Sequence, residues 1–75
     1  MSVVLDVKGL NCPLPILRAK KAIKDIGQGE SLQVLATDPG SVKDFEAFCR
    51  QTGNTLESQS EAGGVYTFNI KKTGS

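Results

Sequence analysis

The residue best suited to chemistry in this chain is Cys12, which follows a short apolar segment and precedes a helical pattern. A thiol at the start of a helix lies near the positive end of the helix dipole and near backbone N–H groups without helical partners. Both influences favour the thiolate, which is the nucleophilic form of cysteine. We therefore predict a reactive sulfur at Cys12 surrounded by several free backbone N–H groups. The alternative is a small buried cysteine beside a tight turn.

Two prolines and a glycine flank this position. Pro13 and Pro15 suit the first turn of a helix, where a missing backbone donor costs no intrahelical hydrogen bond. We place Pro13 at the first helical position, although Pro15 restricts the residue before it and leaves the helix start open. Gly9 can adopt a positive φ, which would let the chain turn from strand to helix within a few residues.

The run Cys12-Pro13-Leu14-Pro15, preceded by Gly9, resembles the Cys-Pro-x-Pro motif of the TusA/SirA-like sulfur carriers. A lone Cys-Pro pair would be weak support, but the resemblance continues in order along nearly the whole chain. The further matching positions are Asp6, Leu10, the segment Gly29-Glu30-Ser31-Leu32, the turn Asp38-Pro39-Gly40-Ser41, Asp44, Gly53 and Lys71-Lys72.

The resemblance implies a sulfurtransferase that carries sulfur as a persulfide on Cys12, with Gly9, Pro13 and Pro15 supporting the motif. The donor would be a cysteine desulfurase or a rhodanese, and the acceptor a protein such as one of the DsrE type. No cofactor is expected beyond the covalent persulfide sulfur. The pathway stays open among tRNA thiouridine formation, molybdenum-cofactor synthesis and dissimilatory sulfur oxidation.

Composition sets independent limits. We expect the 75 residues to form one domain, 1–75, with a small core and no deep substrate cavity. A net charge of +1 without histidine argues against direct nucleic-acid binding and against a metal site. No apolar run is long enough for a membrane span. We expect a monomer in the reducing cytoplasm, where thiols stay available.

Four cations lie in the helical pattern that follows the motif, and no acidic residue interrupts them between positions 13 and 24. One interpretation is a docking surface that attracts acidic patches of partner proteins toward Cys12. The other is an ordinary solvated helix face. The four residues are Arg18, Lys20, Lys21 and Lys24.

The second cysteine, Cys49, has two interpretations. It lies on or beside the apolar stripe of a second predicted helix, so we expect a small core residue. The alternative is a resolving thiol that forms a disulfide with Cys12. The chain would then be a redox or regulatory thiol protein, using Cys12 with or without Cys49. A third function class is a small RNA-binding module, but the chain lacks interleaved aromatic residues for base stacking.

Hydrophobic periodicity predicts the order βαβαββ. Strand-helix-strand crossovers are nearly always right-handed, so both helices should lie on one face of the sheet. The predicted fold is a two-layer α/β (α+β) sandwich with a mixed four-stranded sheet, as the resemblance also implies, and the strand order stays open. Ser41 or Asp38 should cap the second helix, Gly53 should end it, and residues 72–75 should form a loose tail. The predicted strands cover 3–8, 32–36, 55–60 and 65–70, and the helices begin near 13 and 41 and end near 27 and 53.

Overall fold

The elements follow the predicted order in a computed structural model, which describes residues 2–11 and 13–74. Both helices are three turns long, and each follows one strand of a parallel pair. The elements are β1 (Ser2–Val7), α1 (Leu14–Asp25), β2 (Ser31–Ala36), α2 (Ser41–Thr52), β3 (Thr55–Ala62) and β4 (Val65–Lys71).

The four strands form one mixed sheet in the order β1-β2-β4-β3. β1 and β2 are parallel, whereas β4 runs antiparallel to both β2 and β3. The β3–β4 hairpin turns at two glycines with positive φ, Gly63 and Gly64, which removes the steric cost a side chain would bring. β1 and β3 are therefore the two edges of the sheet.

Strand register places the apolar side chains on one face. Val34 of β2 lies between Leu5 of β1 and Phe68 of β4, and the residues of β2 alternate between half-buried and buried. Buried residues of both helices join the same core cluster, so both helices cover this one face. The predicted mixed four-stranded α+β fold is thus confirmed. At the centre of the core, the rings of Phe45 and Phe68 stack with centroids 4.7 Å apart.

The second helix begins differently from the prediction. Gly40 is its N-cap residue and provides no side-chain cap. Ser41 lies inside the helix, buried, with a hydroxyl that makes no hydrogen bond to a described residue. The Asp38 carboxylate instead accepts a hydrogen bond from the Gly40 N–H at 3.2 Å, so it stabilises the preceding turn. The helix ends at Gly53 with φ of 77°, as predicted.

The described part of the C-terminal segment is not the loose tail that its composition predicts. The Lys72 backbone exchanges hydrogen bonds with Gly29 and Glu30 at 2.8 Å. Its ammonium group donates to the Ile26 carbonyl at the end of α1, where a cation also complements the helix dipole. The buried Asn54 side chain accepts hydrogen bonds from the N–H groups of residues 73 and 74. Backbone pairing therefore fixes a segment that has almost no apolar side chains.

Candidate functional site

Cys12, the central residue of the predicted site, lies outside the described residues. Its neighbours Asn11 and Pro13 are described, and both are exposed. The segment that contains them connects the end of β1 to the start of α1. The residues on either side of the predicted sulfur position therefore lie in an exposed connection, at the end of the parallel strand pair where α1 begins.

A tight turn leads from β1 into this connection. The Leu10 N–H donates to the Val7 carbonyl at 3.2 Å, and Gly9 adopts the expected positive φ, 82°. A positive φ at the third residue of the turn alone is the pattern of a type II turn, which favours glycine there. The Gly9 N–H also donates to the Thr37 hydroxyl at 2.9 Å. This bond ties the connection to the end of β2, so Thr37 is a positioning candidate that the sequence pattern does not reveal.

Substitution of Gly9 by alanine is expected to destabilise the protein by about 1 kcal/mol, because an L-residue pays that cost to hold a left-handed conformation. No heavy atom lies within 4 Å of the Cβ that alanine would add, so the cost is purely conformational. Chemical denaturation measures it. Gly40→Ala is the matched control, since Gly40 has a negative φ and its added Cβ would meet neighbours only at 3.7 Å or beyond. Equal stability of the two variants would contradict the prediction.

The start of α1 corrects two expectations. The helix begins at Leu14, and Pro13 is its N-cap residue and not its first helical residue. Pro15 is the second residue of the helix. Residues 13–17 also contain fewer free backbone donors than expected. The two prolines have no N–H, the Leu14 N–H donates to the Asn11 carbonyl, and the Leu17 N–H donates to the Pro13 carbonyl. Ile16 is therefore the one residue of 13–17 whose backbone N–H donates to neither of these two carbonyls.

Asp6 and Lys8 form an exposed pair at the end of β1. The Asp6 carboxylate accepts the Lys8 backbone N–H at 3.0 Å and lies 3.2 Å from the Lys8 ammonium nitrogen. These two hydrogen bonds, the backbone one first, lower the pKa of Asp6. Asp6 therefore stabilises the turn that precedes the motif.

The four cations of α1 differ in the grooves that they border. Lys20 lines a groove between α1 and α2 of about 310 Å³ that begins at Pro13. Arg18 and Lys21 line a second groove, between α1 and β1. Lys24 is exposed and lines neither groove. The predicted docking surface thus borders two grooves, one on each flank of the helix.

Between these flanks, α1 exposes two leucines next to the motif. Leu14 and Leu17 are 44% and 54% exposed, which is high for large apolar side chains. Exposed apolar residues grouped beside a reactive position are typical of protein interaction sites. Sequence reasoning missed them, although their spacing of three residues sets them apart from the buried stripe of Ala19 and Ile23.

Cys49 is buried at 4% exposure among the core residues of α2. Burial raises the pKa of its thiol to about 11. Because the neutral thiol is a poor nucleophile, this environment favours a structural role. The interpretation of Cys49 as a core residue is in agreement with its position.

Alkylation should therefore be slow at Cys49. A rise from the ordinary value of 9.0 to about 11 lowers the thiolate fraction about a hundredfold at pH 8, and burial adds a barrier to access. We expect iodoacetamide to modify folded protein at Cys12 first and to reach Cys49 at a comparable rate only after denaturation. Peptide mapping by mass spectrometry measures both rates. Rapid modification of Cys49 in the folded protein would contradict the burial of its thiol in the core.

Neither a metal cluster nor a membrane-spanning helix is found within the described ranges. No three of their histidine, cysteine, aspartate or glutamate side chains are grouped as metal ligands. No helix in those ranges is both long and apolar enough to cross a membrane.

Comparison with known proteins identifies the family. The family model described as "Sulfurtransferase TusA" matches residues 3–72 of the chain. The chain belongs to the TusA family. This confirms the resemblance carried by the Cys12-Pro13-Leu14-Pro15 run and the positions that follow it.

Individual TusA-family relatives agree with the family match. The chain is 61% identical over 69 residues to the sulfur carrier protein TusA of Allochromatium vinosum, covering 92% of this chain and 91% of that protein. It is 60% identical to a putative sulfur carrier protein of Neisseria meningitidis serogroup A, covering 93% and 95%. These relatives support a role in carrying sulfur.

A solved structure agrees with the TusA-family fold. The SirA-like protein of Desulfitobacterium hafniense superposes with a TM-score of 0.83 at 28% identity, covering 97% of this chain and 99% of that one. Sulfur transfer with donor and acceptor proteins is the general function that this family membership gives the chain.

Proposed function

We propose that the protein accepts sulfane sulfur as a persulfide on Cys12 and relays it to an acceptor protein. The observation that carries this proposal is the exposed connection between β1 and α1, in which Asn11 and Pro13 flank Cys12. A carrier must present its sulfur to two different proteins in turn, so exposure serves both encounters. Gly9, Pro13 and Pro15 hold this connection in a short turn from strand to helix.

Loading is an exchange at sulfur. The Cys12 thiolate attacks the outer sulfur of the donor's persulfide, a new S–S bond forms, and the donor cysteine leaves as a thiolate. Delivery repeats the exchange in the other direction, with the acceptor's thiolate attacking the outer sulfur on Cys12. Each exchange transfers one sulfur atom and conserves charge, so neither needs an added oxidant or cofactor.

The helix dipole of α1 supports both the thiolate and the persulfide anion, because Cys12 precedes Leu14, the first helical residue, by two positions. Two prolines leave few backbone amides at this helix start. Histidine is absent from the chain, so the partner proteins would supply any general acid or base.

The proposed partners are a cysteine desulfurase or a rhodanese as donor and a DsrE-type protein as acceptor. Their encounter surface would include Leu14, Leu17 and the flanking cations Arg18, Lys20, Lys21 and Lys24. The proposed pathway is one of tRNA 2-thiolation, molybdenum-cofactor synthesis or dissimilatory sulfur oxidation. We place the protein in the cytoplasm as a monomer without direct nucleic-acid binding.

Sulfur loading tests this function. The protein is incubated with a cysteine desulfurase and cysteine, and its intact mass is measured under non-reducing conditions. The expected result is a gain of one sulfur atom that a reductant removes. No gain with an active desulfurase and with an active rhodanese plus thiosulfate would overturn the proposal. A disulfide between Cys12 and Cys49 under mild oxidant would instead support the redox alternative.

A further inference from the structure

The outer edge of β1 has no partner strand among the described residues. β1 is an edge of the sheet and pairs only with β2. Within residues 2–11 and 13–74, its one backbone hydrogen bond outside that pairing is accepted by the Val7 carbonyl from Leu10. Such an edge presents a row of N–H and C=O groups that another extended chain can pair with.

The two edges of the sheet differ in how they resist pairing. β3 carries a register irregularity between Leu56 and Ser58 and exposes two carboxylates, Glu57 and Glu61. Bulges and charges of this kind blunt an edge. β1 pairs with β2 in unbroken register and exposes Val3 at 44% and Val4 at 59%. β1 also exposes one carboxylate, Asp6, which is paired with Lys8. The fold therefore interrupts one edge with an irregularity and leaves the other in regular register and accessible.

A groove of about 350 Å³ follows the accessible edge on the helix side of the sheet. Leu5 of β1 and Ala22 of α1 give it an apolar floor, and three exposed charged side chains of α1 line its wall. An edge strand beside a helix is the arrangement in which PDZ domains bind an extended peptide. The wall residues are Arg18, Lys21 and Asp25.

The charges of the groove are ordered along it. Along α1, Arg18 comes first and Lys21 follows it, and Asp25 is the last residue, four positions after Lys21. Neither cation forms an ion pair with a described residue. The cationic end of the groove is therefore the end toward the connection that contains Cys12, and it is complementary to carboxylates.

We propose that the β1–α1 groove, defined by β1, Arg18, Lys21 and Ala22, binds an extended acidic segment of a sulfur-transfer partner as an added fifth strand. Backbone hydrogen bonds to β1 hold the segment, its carboxylates face Arg18 and Lys21, and its apolar side chains lie beside Val4 on the opposite face of the sheet. The proposal rests on the proposed function for the identity of the partner, and it explains how a partner is held beside the sulfur position.

A synthetic peptide tests the binding mode without any sulfur chemistry. The probe is a fluorescein-labelled peptide of alternating valine and glutamate, matched to the six residues of β1. Alternation places all carboxylates on one face of an extended chain. We expect saturable binding, and in isotope-labelled protein we expect amide resonance shifts concentrated in β1 and the facing side of α1. A lysine-valine peptide of the same length is expected not to bind.

Backbone methylation distinguishes an added strand from simple charge attraction. Successive N–H groups of a strand point to opposite edges, so only alternate amides of the peptide can reach β1. Of two peptides, one N-methylated at its valines and the other at its glutamates, one should bind and the other should not. Equal binding of both, or loss of binding by both, would overturn the proposal.

Charge reversal of the groove wall is a second, independent test of the proposal. The double variant Arg18→Glu, Lys21→Glu is expected to weaken binding of the unmethylated peptide at least tenfold. Lys43→Glu, at an exposed position of α2 that lines no described groove, is the matched control and should bind normally. Undiminished binding by the double variant would overturn the proposal.

Two further measurements distinguish failure of this binding proposal from failure of the proposed sulfur-carrier function. Concentration-dependent self-association of the free protein, with shifts along β1, would assign this edge to a second copy of the chain and overturn the proposal. Peptide binding requires no persulfide, so a protein that loads sulfur but does not bind the peptide refutes only this inference. A protein that binds the peptide but never loads sulfur refutes only the proposed function.

Discussion

Replacement of Cys12 by serine is expected to abolish sulfur loading completely. A hydroxyl cannot exchange with a persulfide under these conditions, because thiol exchange requires a thiolate at the attacking atom. The other cysteine cannot substitute, since Cys49 is buried and its pKa is raised to about 11. Intact mass after incubation with a desulfurase and cysteine should show no added sulfur.

The matched variant for this experiment is Cys49→Ala, which removes the core thiol and should still load one sulfur atom. Its small loss of packing is monitored by thermal unfolding, so that loading is compared only between folded proteins. Loading that persists in Cys12→Ser, or that disappears in folded Cys49→Ala, would contradict the assignment of Cys12 as the carrier.

Truncation of Phe45 to alanine should cause the largest loss of stability among the substitutions considered. Phe45 is fully buried, stacks on Phe68 and makes an edge contact with Phe48. Such truncations cost about 3 to 5 kcal/mol through lost transfer free energy and the cavity that remains. A chain of 75 residues has a free energy of unfolding of only about 4 to 11 kcal/mol, so a large part of its stability should disappear.

Urea denaturation followed by circular dichroism measures this effect. The control is Leu17→Ala, a large-to-small change at a side chain that is 54% exposed, and it should alter the free energy of unfolding by less than about 0.5 kcal/mol. Similar losses in the two variants would show that Phe45 is not central to packing, contrary to its contacts.

Local patterns in the sequence account for most of the fold. The alternation of Leu32, Val34 and Ala36 predicts a strand with one buried face, and that strand is β2. The left-handed Gly53 and the positive φ of Gly9 follow from their positions at the ends of apolar patterns. These features are predictable because each depends on residues within a few positions of one another. The ordered motif alone likewise indicates the family.

Predictions about individual hydrogen bonds were less successful. The predicted caps of α2 are wrong, since Gly40 is its N-cap residue, and α1 begins one residue after Pro13. The C-terminal segment is held by Asn54 and by the Gly29-Glu30 backbone, which are distant in sequence. Composition cannot reveal such contacts, because they depend on which chain segments the fold brings together. At the start of α1, two backbone N–H groups donate to the nearby carbonyls of Asn11 and Pro13, so the number of free donors depends on the local turn geometry rather than on composition.

Local sterics and hydrophobic periodicity act over short distances, so the order of amino acids predicts the elements, the motif and the apolar face of each strand and helix. Only the folded chain shows which strands are edges, which cations of α1 border each groove, and how completely Cys49 is buried. These properties depend on strand order and helix packing. Residues far apart in the chain, such as Leu5 and Ala22 in the β1–α1 groove, become neighbours only when the sheet and helices assemble.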